Sequence, residues 1–348
     1  MRILILGSNY SAKKFYELFE KDAENIVFST NLQTKNYIDL KNPTDVLDFC
    51  EANAINLVLI IDEEFVDMGL QELISSNDID AFAPSIEAIS ITNSKSTAKK
   101  FIYKNKILTP KFSILEKPQM AYDYVRNSQM PLAIKPENKS FKECLQFCET
   151  FSQAKKIIDK FFASGNKKII IEDYIEGKSF TVWALSNGFD AKIIGSNAKY
   201  QNEISLFEPN FVTSELKEQI YQTAILPTIN SLSAQEDEYI GILGLDFILS
   251  NDNKLYLTGY NSFFDDLSVD FFVNGFDFKW EEIFDSCIKG DVFMKHEFIP
   301  KDSYMLSIRK NDKIYFIEAR TKSNLELYLE ELDYDTKLYK EAQKVWKF

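Results

Sequence analysis

Histidine and arginine are scarce in this sequence of 348 residues. Histidine occurs once, as His296, and four of the 40 basic residues are arginines. A single imidazole excludes the commonest histidine-based zinc sites. A Ser/His/Asp or Cys/His mechanism would have to rely on His296 alone. The sequence is therefore a poor candidate for a zinc enzyme or an imidazole-based hydrolase.

Cysteine is also rare, with four residues and no Cys-x-x-Cys pair. Without such a pair, and with no histidine nearby, neither a zinc cage nor a thioredoxin-like redox pair is indicated. We therefore expect Cys50, Cys144, Cys148 and Cys287 to be reduced and mostly buried. Cys144 and Cys148 are spaced so that a helix would place them one turn apart.

Long apolar runs and an excess of positive charge are missing as well. No stretch approaches the roughly 20 apolar residues of a membrane-spanning helix, and the apolar run in MRILILGSN is too short for a signal peptide. The 53 acidic residues outnumber the 40 basic ones, which gives a formal charge of −13. Such a charge repels nucleic acid and anionic membranes unless the basic residues cluster. We therefore predict a cytoplasmic protein that acts on small molecules and binds neither nucleic acid nor membrane.

The first quarter of the sequence alternates short apolar runs, such as RILIL and LVLII, with amphipathic segments. Nearly all-apolar strands that alternate with helices indicate a parallel sheet covered on both faces. Ligands gather at the carboxyl ends of such strands, which here carry Gly7-Ser8 and Asp62-Glu63. No G-x-G-x-x-G fingerprint is present, so a dinucleotide site is only weakly indicated. We predict an N-terminal parallel α/β domain over residues 1–92.

From residue 93 the pattern changes to α+β. The segments SFTVWAL and AKIIGSN flank Asn187-Gly188, a strong hairpin signal, and GLDFILSNDNKLYLTGYN is typical of a second hairpin. We predict a second domain over 93–290, with a small lid subdomain at roughly 107–178. The remaining residues, 291–348, are predicted to add two short strands and a helix.

Several residues of this middle region are spaced as a nucleotide cleft requires. Lys95 heads a predicted helix capped by Ser94, and Lys135 ends a predicted strand, so both ammonium groups can reach phosphate oxygens. The strand edge in IIIEDYIEG offers backbone groups that can read an adenine edge. Asp246 and Asn261, on the two strands of one hairpin, can converge on Mg²⁺, which takes few protein oxygens.

Each of these residues also has a simpler interpretation. A lysine at a strand end is commonly just solvated, and Asp246 within GLDFIL can be an ordinary strand residue. Their order and separation favour the nucleotide-site interpretation.

The sequence resembles the ATP-grasp ligases in four successive segments: AFAPSIEAISITNSKSTAKKFIYKNKILTPKF, PLAIKP, IIIEDYIEGKSFTVWAL and GLDFILSNDNKLYLTGYN. Within that superfamily, LILGS and INLVLIIDEEFVDMGL are similar to segments of the glycinamide ribonucleotide synthetase (phosphoribosylamine–glycine ligase) family. The resemblance covers roughly residues 1–290. It implies a pre-ATP-grasp domain, an ATP-grasp domain and a short C-terminal β/α segment.

The resemblance also implies a reaction and its cofactors. ATP, with Mg²⁺, would activate a carboxylate as an acyl phosphate, which an amine then attacks. The default substrates are glycine and phosphoribosylamine, which would place the protein in purine biosynthesis.

The same resemblance implies roles for individual residues. Six match ATP-binding positions. Lys95 and Lys135 match the two lysines that bind the ATP phosphates. The other four match the hinge whose backbone holds adenine: Glu172, Asp173, Tyr174 and Ile175. Two match magnesium ligands: Asp246 and Asn261. Three fall on segments near the substrate: Gly7, Ser8 and Glu63.

The sequence departs from the family pattern at several of these positions. Ser179 replaces a ribose-binding Glu, Gly259 replaces a carboxylate that bridges metal ions, and Phe263 replaces a phosphate-facing Arg. The segment ENKSFKECL, which contains no glycine, replaces the glycine-rich phosphate loop. Removing one electrostatic group of this kind costs on the order of 10²–10³-fold in rate.

Three hypotheses about function therefore remain. The first is a divergent ATP-grasp ligase, and the second is a catalytically degenerate relative with a binding or regulatory role. The third is a purely structural partner subunit. Asp265 or Asp266 is the candidate replacement for the missing metal carboxylate, and the alternative is that both are solvated loop acids.

Overall fold

The computed structural model describes residues 1–30, 32, 34–40, 42–137, 145–291, 297–334 and 336–346. His296, Cys144 and most of the segment that replaces the phosphate loop lie outside the described residues. The chain divides into two compact units. The first unit comprises Met1–Ile89, Phe180–Gly244 and Ser262–Phe348, and the second comprises Ser90–Ser179 and Leu245–Asn261. The three consecutive domain spans expected from the sequence stay a prediction.

The secondary-structure elements are numbered in chain order. The strands are β1 (Arg2–Leu6), β2 (Ile26–Thr30), β3 (Tyr37–Ile38), β4 (Leu57–Ile60), β5 (Asp80–Phe82), β6 (Phe112–Leu115), β7 (Leu132–Pro136), β8 (Gln146–Cys148), β9 (Ile169–Asp173), β10 (Gly177–Asn187), β11 (Ala191–Tyr200), β12 (Ile204–Phe207), β13 (Ile240–Ser250), β14 (Leu255–Asn261), β15 (Tyr304–Lys310) and β16 (Lys313–Ala319).

The α-helices are α1 (Tyr10–Phe19), α2 (Pro43–Ala52), α3 (Glu63–Asp67), α4 (Leu70–Ser75), α5 (Ile86–Asn93), α6 (Lys95–Lys104), α7 (Pro118–Arg126), α8 (Phe151–Ala163), α9 (Ser214–Ile220), α10 (Leu226–Ser233), α11 (Val269–Asn274), α12 (Trp280–Ile288), α13 (Lys322–Glu331) and α14 (Thr336–Trp346). A π-helical turn, Tyr221–Ile225, joins α9 to α10. Within the described parts of the chain, no helix combines the length and the apolar character that crossing a bilayer requires.

A five-stranded parallel sheet of order β3-β2-β1-β4-β5 forms the N-terminal part of the first unit. Successive residues of β1 point to opposite faces of this sheet, because side chains alternate along a strand. Ile3 and Ile5 accordingly enter one buried apolar cluster, and Leu4 and Leu6 enter another. This arrangement confirms the predicted parallel sheet with both faces covered.

The other strands of the first unit pair in antiparallel order. Strands β10 and β11 form the hairpin predicted at Asn187-Gly188, with Ser186 opposite Ala191 and Gly188 at a φ of +95°. Strands β12, β15 and β16 extend this sheet in antiparallel order. The two C-terminal strands expected from the sequence are thereby confirmed.

The second unit contains a four-stranded antiparallel sheet of order β6-β9-β7-β8. Ile169 and Ile171 of β9 and Ile134 of β7 pack into the apolar cluster that includes α7 and α8. Because side chains alternate, Glu172 of β9 and Lys135 of β7 lie on the other face of the sheet. That face carries the candidate site.

The described cysteines are Cys50, Cys148 and Cys287, and all three are buried free thiols, as predicted. Cys148 lies in β8, which pairs with β7. The helical spacing expected for the segment around Cys148 is therefore wrong, because cross-strand pairing determines its backbone conformation.

Gly177 provides a test of packing in the second unit. A Cβ atom at this position would lie 2.8 Å from the carbonyl carbon of Leu249 and 2.8 Å from Cα of Ser250, so Gly177→Ala would force two backbone segments apart. We expect the free energy of unfolding to fall by about 1–3 kcal/mol, as measured by urea denaturation. Gly259→Ala is the matched control, because a Cβ there meets nothing within 4 Å. Equal stability of the two variants would contradict the close approach.

Candidate functional site

The second unit contains a buried carboxylate flanked by two ammonium groups. Nζ of Lys135 is 3.0 Å from Oε1 of Glu172, and Nζ of Lys99 is 3.2 Å from Oε2. Glu172 and Lys99 are each 2% exposed, whereas Lys135 is 15% exposed. Strand pairing sets Ala133 opposite Glu172, which makes Lys135 the diagonal neighbour of Glu172 on the same face of the sheet.

Burial and charge act in opposite directions on the pKa values of this cluster. Burial lowers the pKa of Lys99 to about 8, and the attraction of Glu172 offsets only part of that effect. Burial alone would raise the pKa of Glu172, but the charges of Lys135 and Lys99 outweigh it and hold that pKa below its usual range. Glu172 is therefore ionised at neutral pH.

The two lysines differ in what else they contact. Lys99 donates a hydrogen bond to Oγ1 of Thr109 at 2.7 Å, and Thr109 in turn donates to the carbonyl oxygen of Leu257. Lys135 also contacts the carbonyl oxygen of Thr258 at 3.4 Å. Lys99 is thus the more deeply buried lysine of the pair, and Lys135 is the more exposed one.

A cavity of about 400 Å³ brings together five of the predicted residues: Lys95, Lys135, Glu172, Asp246 and Asn261. Other parts of its wall come from α6 and β14. The side chain of Lys95, the first residue of α6, donates to the carbonyl oxygen of Pro136 at 3.0 Å. The predicted N-cap of α6, Ser94, is confirmed, because its hydroxyl accepts from the backbone N–H of Thr97.

Glu137 anchors the start of α6. Its carboxylate accepts hydrogen bonds from the hydroxyl groups of Ser94 and Ser96 and from the backbone N–H of Ser96. A carboxylate at a helix N-terminus is favourable, because it satisfies unpaired N–H groups and faces the positive end of the helix dipole. This contact fixes the position of Lys95 relative to the end of β7.

A second cavity, of about 300 Å³, shares Lys135 and Glu172 with the first. Its wall includes the predicted hinge residues Asp173, Tyr174 and Ile175. Phe147 of β8 also lines it.

The rings of Phe147 and Tyr174 meet edge to face, with 5.2 Å between their centroids. The backbone N–H groups of Asp173 and Tyr174 donate to the carbonyl oxygens of Lys111 and Pro131. An adenine edge would therefore have to be read by other backbone groups of the hinge.

The predicted substrate residues lie in the first unit. Gly7 and Ser8 follow β1, and Glu63 begins α3 just after β4. The hydroxyl of Ser8 donates to Asp62 at 3.2 Å, which brings the ends of the two neighbouring strands together, as expected for a parallel sheet. Glu63 accepts a hydrogen bond from Ser262 at 3.0 Å.

Asp265 and Asp266 also belong to the first unit, and both have basic partners there. Asp265 forms an ion pair with Lys199, and Asp266 lies 3.3 Å from Arg309. Phe263 packs against both apolar clusters of the first unit, which explains how an aromatic residue is accommodated at that position.

Oxygen donors for a divalent cation are few on the described wall of the larger cavity. Among the described residues, no three His, Cys, Asp or Glu side chains are grouped as a metal site requires. Asp246 and Asn261 are the metal donors predicted for the larger cavity, and Gly259 between them on the wall offers none. Two protein donors are too few to fill the coordination shell of a cation. Mg²⁺ held by Asp246 and Asn261 would therefore take its other ligands from water and phosphate.

Sequence reasoning missed two residues of this site, Lys99 and Phe147. Lys99 follows Lys95 by one turn of α6, so helical spacing alone would have brought it to attention. Phe147 is 56% exposed and gave no such signal, because it is placed by the pairing of β8 with β7.

The sequence is similar to one family of known proteins and to curated members of it. Residues 93–269, just over half of the chain, match the family described as phosphoribosylglycinamide synthetase, ATP-grasp (A) domain. A phosphoribosylamine–glycine ligase of Fusobacterium nucleatum subsp. nucleatum is 23% identical over 242 residues, which cover 64% of this chain and 56% of that protein. The chain therefore spans little more than half the length of this curated relative.

Two solved structures show the same fold. The phosphoribosylamine–glycine ligase of Thermotoga maritima matches with a TM-score of 0.68 at 16% sequence identity. The matched region covers 88% of this chain and 80% of the Thermotoga maritima chain. A biotin carboxylase from Campylobacter jejuni, solved as a β,γ-ATP complex, matches with a TM-score of 0.67 at 15% sequence identity. The matched region covers 88% of this chain and 75% of the biotin carboxylase chain. The predicted α/β plus α+β fold class is confirmed.

The Glu172 cluster generates a stability prediction. Glu172→Gln would leave two ammonium groups without their buried counter-charge, so we expect the free energy of unfolding in urea at neutral pH to fall by about 3–5 kcal/mol. Asp123→Asn is the control, since Asp123 is 55% exposed and pairs with Arg126 at the surface. That variant should lose less than about 1 kcal/mol. A Glu172→Gln loss as small as the control's would show that the cluster is not a buried ion pair.

Proposed function

The chain belongs to the phosphoribosylglycinamide synthetase ATP-grasp (A) domain family, and from this premise we propose that its second unit binds ATP in the two adjoining cavities. The observation that carries the proposal is that Lys95 and Lys135 line one cavity together, while Lys135 also borders the cavity of the hinge. The cavity volumes are of the size that small-molecule sites usually have.

In this proposal the two cavities receive different parts of the nucleotide. The larger cavity takes the phosphates, because its ammonium groups bind anionic oxygens. The smaller cavity takes adenine, with Phe147 and Tyr174 as apolar surfaces and the hinge backbone as the polar edge. Ser179 also lines the smaller cavity and would offer a hydroxyl near the ribose.

We propose carboxylate–amine ligation as the reaction that ATP serves. A carboxylate oxygen attacks the terminal phosphorus and ADP leaves, after which the amine nitrogen displaces phosphate from the acyl phosphate. The similarity to the phosphoribosylamine–glycine ligase of Fusobacterium nucleatum supports glycine and phosphoribosylamine as the first substrates to test. For the substrate side we retain Gly7, Ser8 and Glu63 as candidates.

A second candidate is a nucleotide-binding protein that does not transfer phosphate. Gly259 and Phe263 favour it, because neither side chain supplies charge to a transferring phosphoryl group. ADP formation that depends on both glycine and phosphoribosylamine would support the ligase, and ATP binding without ADP formation would support the binding protein.

ATP binding is tested by thermal unfolding with a lysine variant. ATP at millimolar concentration should raise the melting temperature of the wild-type protein, because a ligand that binds only the folded state stabilises it. Lys95→Gln should weaken ATP binding by about tenfold or more and shrink the shift, since a charge-assisted hydrogen bond is lost.

Lys100→Gln is the matched control for that experiment. Lys100 is the exposed residue next to Lys99 on the same helix, so its loss removes one charge without touching the cavity. The control should keep the full shift. A wild-type protein whose melting temperature does not respond to ATP would contradict the proposed function.

A further inference from the structure

Lys99 and Lys135 contact the same oxygen atom of Glu172. Nζ of Lys99 and Nζ of Lys135 each lie 3.2 Å from Oε2 of this buried carboxylate. A carboxylate carries a single negative charge, so two ammonium groups that share one of its oxygens compete for that charge. The protonation state of either lysine therefore affects how strongly Glu172 attracts the other.

Three contacts hold the ammonium group of Lys99 beside Glu172. Besides its ion pair with Glu172, this group donates to Oγ1 of Thr109 at 2.7 Å. It also lies 5.8 Å from the centre of the Phe112 ring, within the range of a cation–π interaction. Because only 2% of its side chain is exposed, Lys99 is placed to act on Glu172 rather than to enclose a ligand.

We infer that Lys99 is a positioning residue of the nucleotide site, which compensates the charge of Glu172 and so leaves Lys135 available for the ATP phosphates. The inference rests on the proposed ATP binding and deepens it. While Lys99 is protonated, two cations share the charge of Glu172, and the ammonium group of Lys135 keeps a net attraction for phosphate oxygens. When Lys99 is neutral, Lys135 alone faces the charge of Glu172, and its attraction for phosphate is weaker.

The ionisable groups around Lys99 make ATP binding sensitive to pH. Burial chiefly lowers the pKa of Lys99 to about 8; the charge of Lys135 acts in the same direction and the charge of Glu172 opposes both. The other ionisable side chains on the described wall of the larger cavity are Lys95 of α6, Asp246 of β13 and Tyr260 of β14.

The direction of the pH effect follows from the charge of Lys99. Lys99 loses its proton as the pH rises through its pKa, so the affinity for ATP should fall from about pH 8 upward. Bound phosphate raises the pKa of Lys99, because an anion nearby favours the ammonium form. Phosphate groups lose their last proton near about pH 6, so the charge of ATP itself stays constant in this range.

Calorimetric titration with ATP and excess Mg²⁺, at about pH 7 and at about pH 9, tests the inference, with circular dichroism to confirm that the protein is folded at both. Wild-type protein should bind ATP at least about fivefold more weakly at the higher pH, which corresponds to a rise of about one unit in the pKa of Lys99 on binding.

Two variants identify the group that responds to pH. Lys99→Met should bind ATP at about pH 7 at least about fivefold more weakly than wild-type protein, and its affinity should change less than about twofold between the two pH values, because it has no proton to lose there. Lys100→Met is the matched control, since Lys100 is the exposed neighbour of Lys99 on the same helix. The control should match wild-type protein at both pH values.

The possible failures are distinguishable. If wild-type protein binds ATP equally well at both pH values, or if Lys99→Met keeps the wild-type decrease, the inference is overturned and the proposed ATP binding stands. If folded wild-type protein binds ATP at neither pH, the proposed function fails and the inference fails with it. If Lys99→Met does not fold, Lys99→Arg decides: arginine stays protonated throughout this range, so a decrease as large as that of wild-type protein would overturn the inference.

Discussion

The ion cluster of Glu172 with Lys99 and Lys135 is the interaction on which the rest of the site depends. A buried charge is costly unless it is paired and hydrogen-bonded, so each of these side chains requires the other two to be in place. The three residues come from β9, α6 and β7, and Lys99 is further tied through Thr109 to the backbone of β14. A single electrostatic constraint thereby fixes the elements that surround both cavities.

The two lysines of the cluster differ in burial and in the cavities that they line. Lys99 is 2% exposed, lines the larger cavity and holds Glu172, whereas Lys135 is held by Glu172 at the boundary of the two cavities. A ligand that enters from either cavity meets the same ammonium group. The sequence resemblance placed Glu172 among the adenine-binding residues, but its side chain holds the two lysines. Its neighbours Asp173, Tyr174 and Ile175 line the smaller cavity without a role in the cluster.

Much of the fold could be predicted from local patterns in the sequence. All-apolar strands indicated the parallel sheet, Asn187-Gly188 indicated the antiparallel hairpin of β10 and β11, and Ser94 indicated the start of α6. Each of these signals is carried by residues close together in the chain. The contact between Lys99 and Glu172 is different, because it joins α6 to β9, two elements that are far apart in the sequence. The periodicity of a single segment does not show which other element that segment will contact.

The central claim is that the ammonium groups of Lys95 and Lys135 bind the phosphates of a nucleotide. The most direct measurement compares the affinities of ATP and adenosine for the wild-type protein by calorimetry, because the two ligands share the base and ribose and differ in the phosphates. The account predicts that ATP binds at least about tenfold more tightly than adenosine, the equivalent of about one charge-assisted hydrogen bond. Equal affinities, or adenosine binding more tightly, would contradict it.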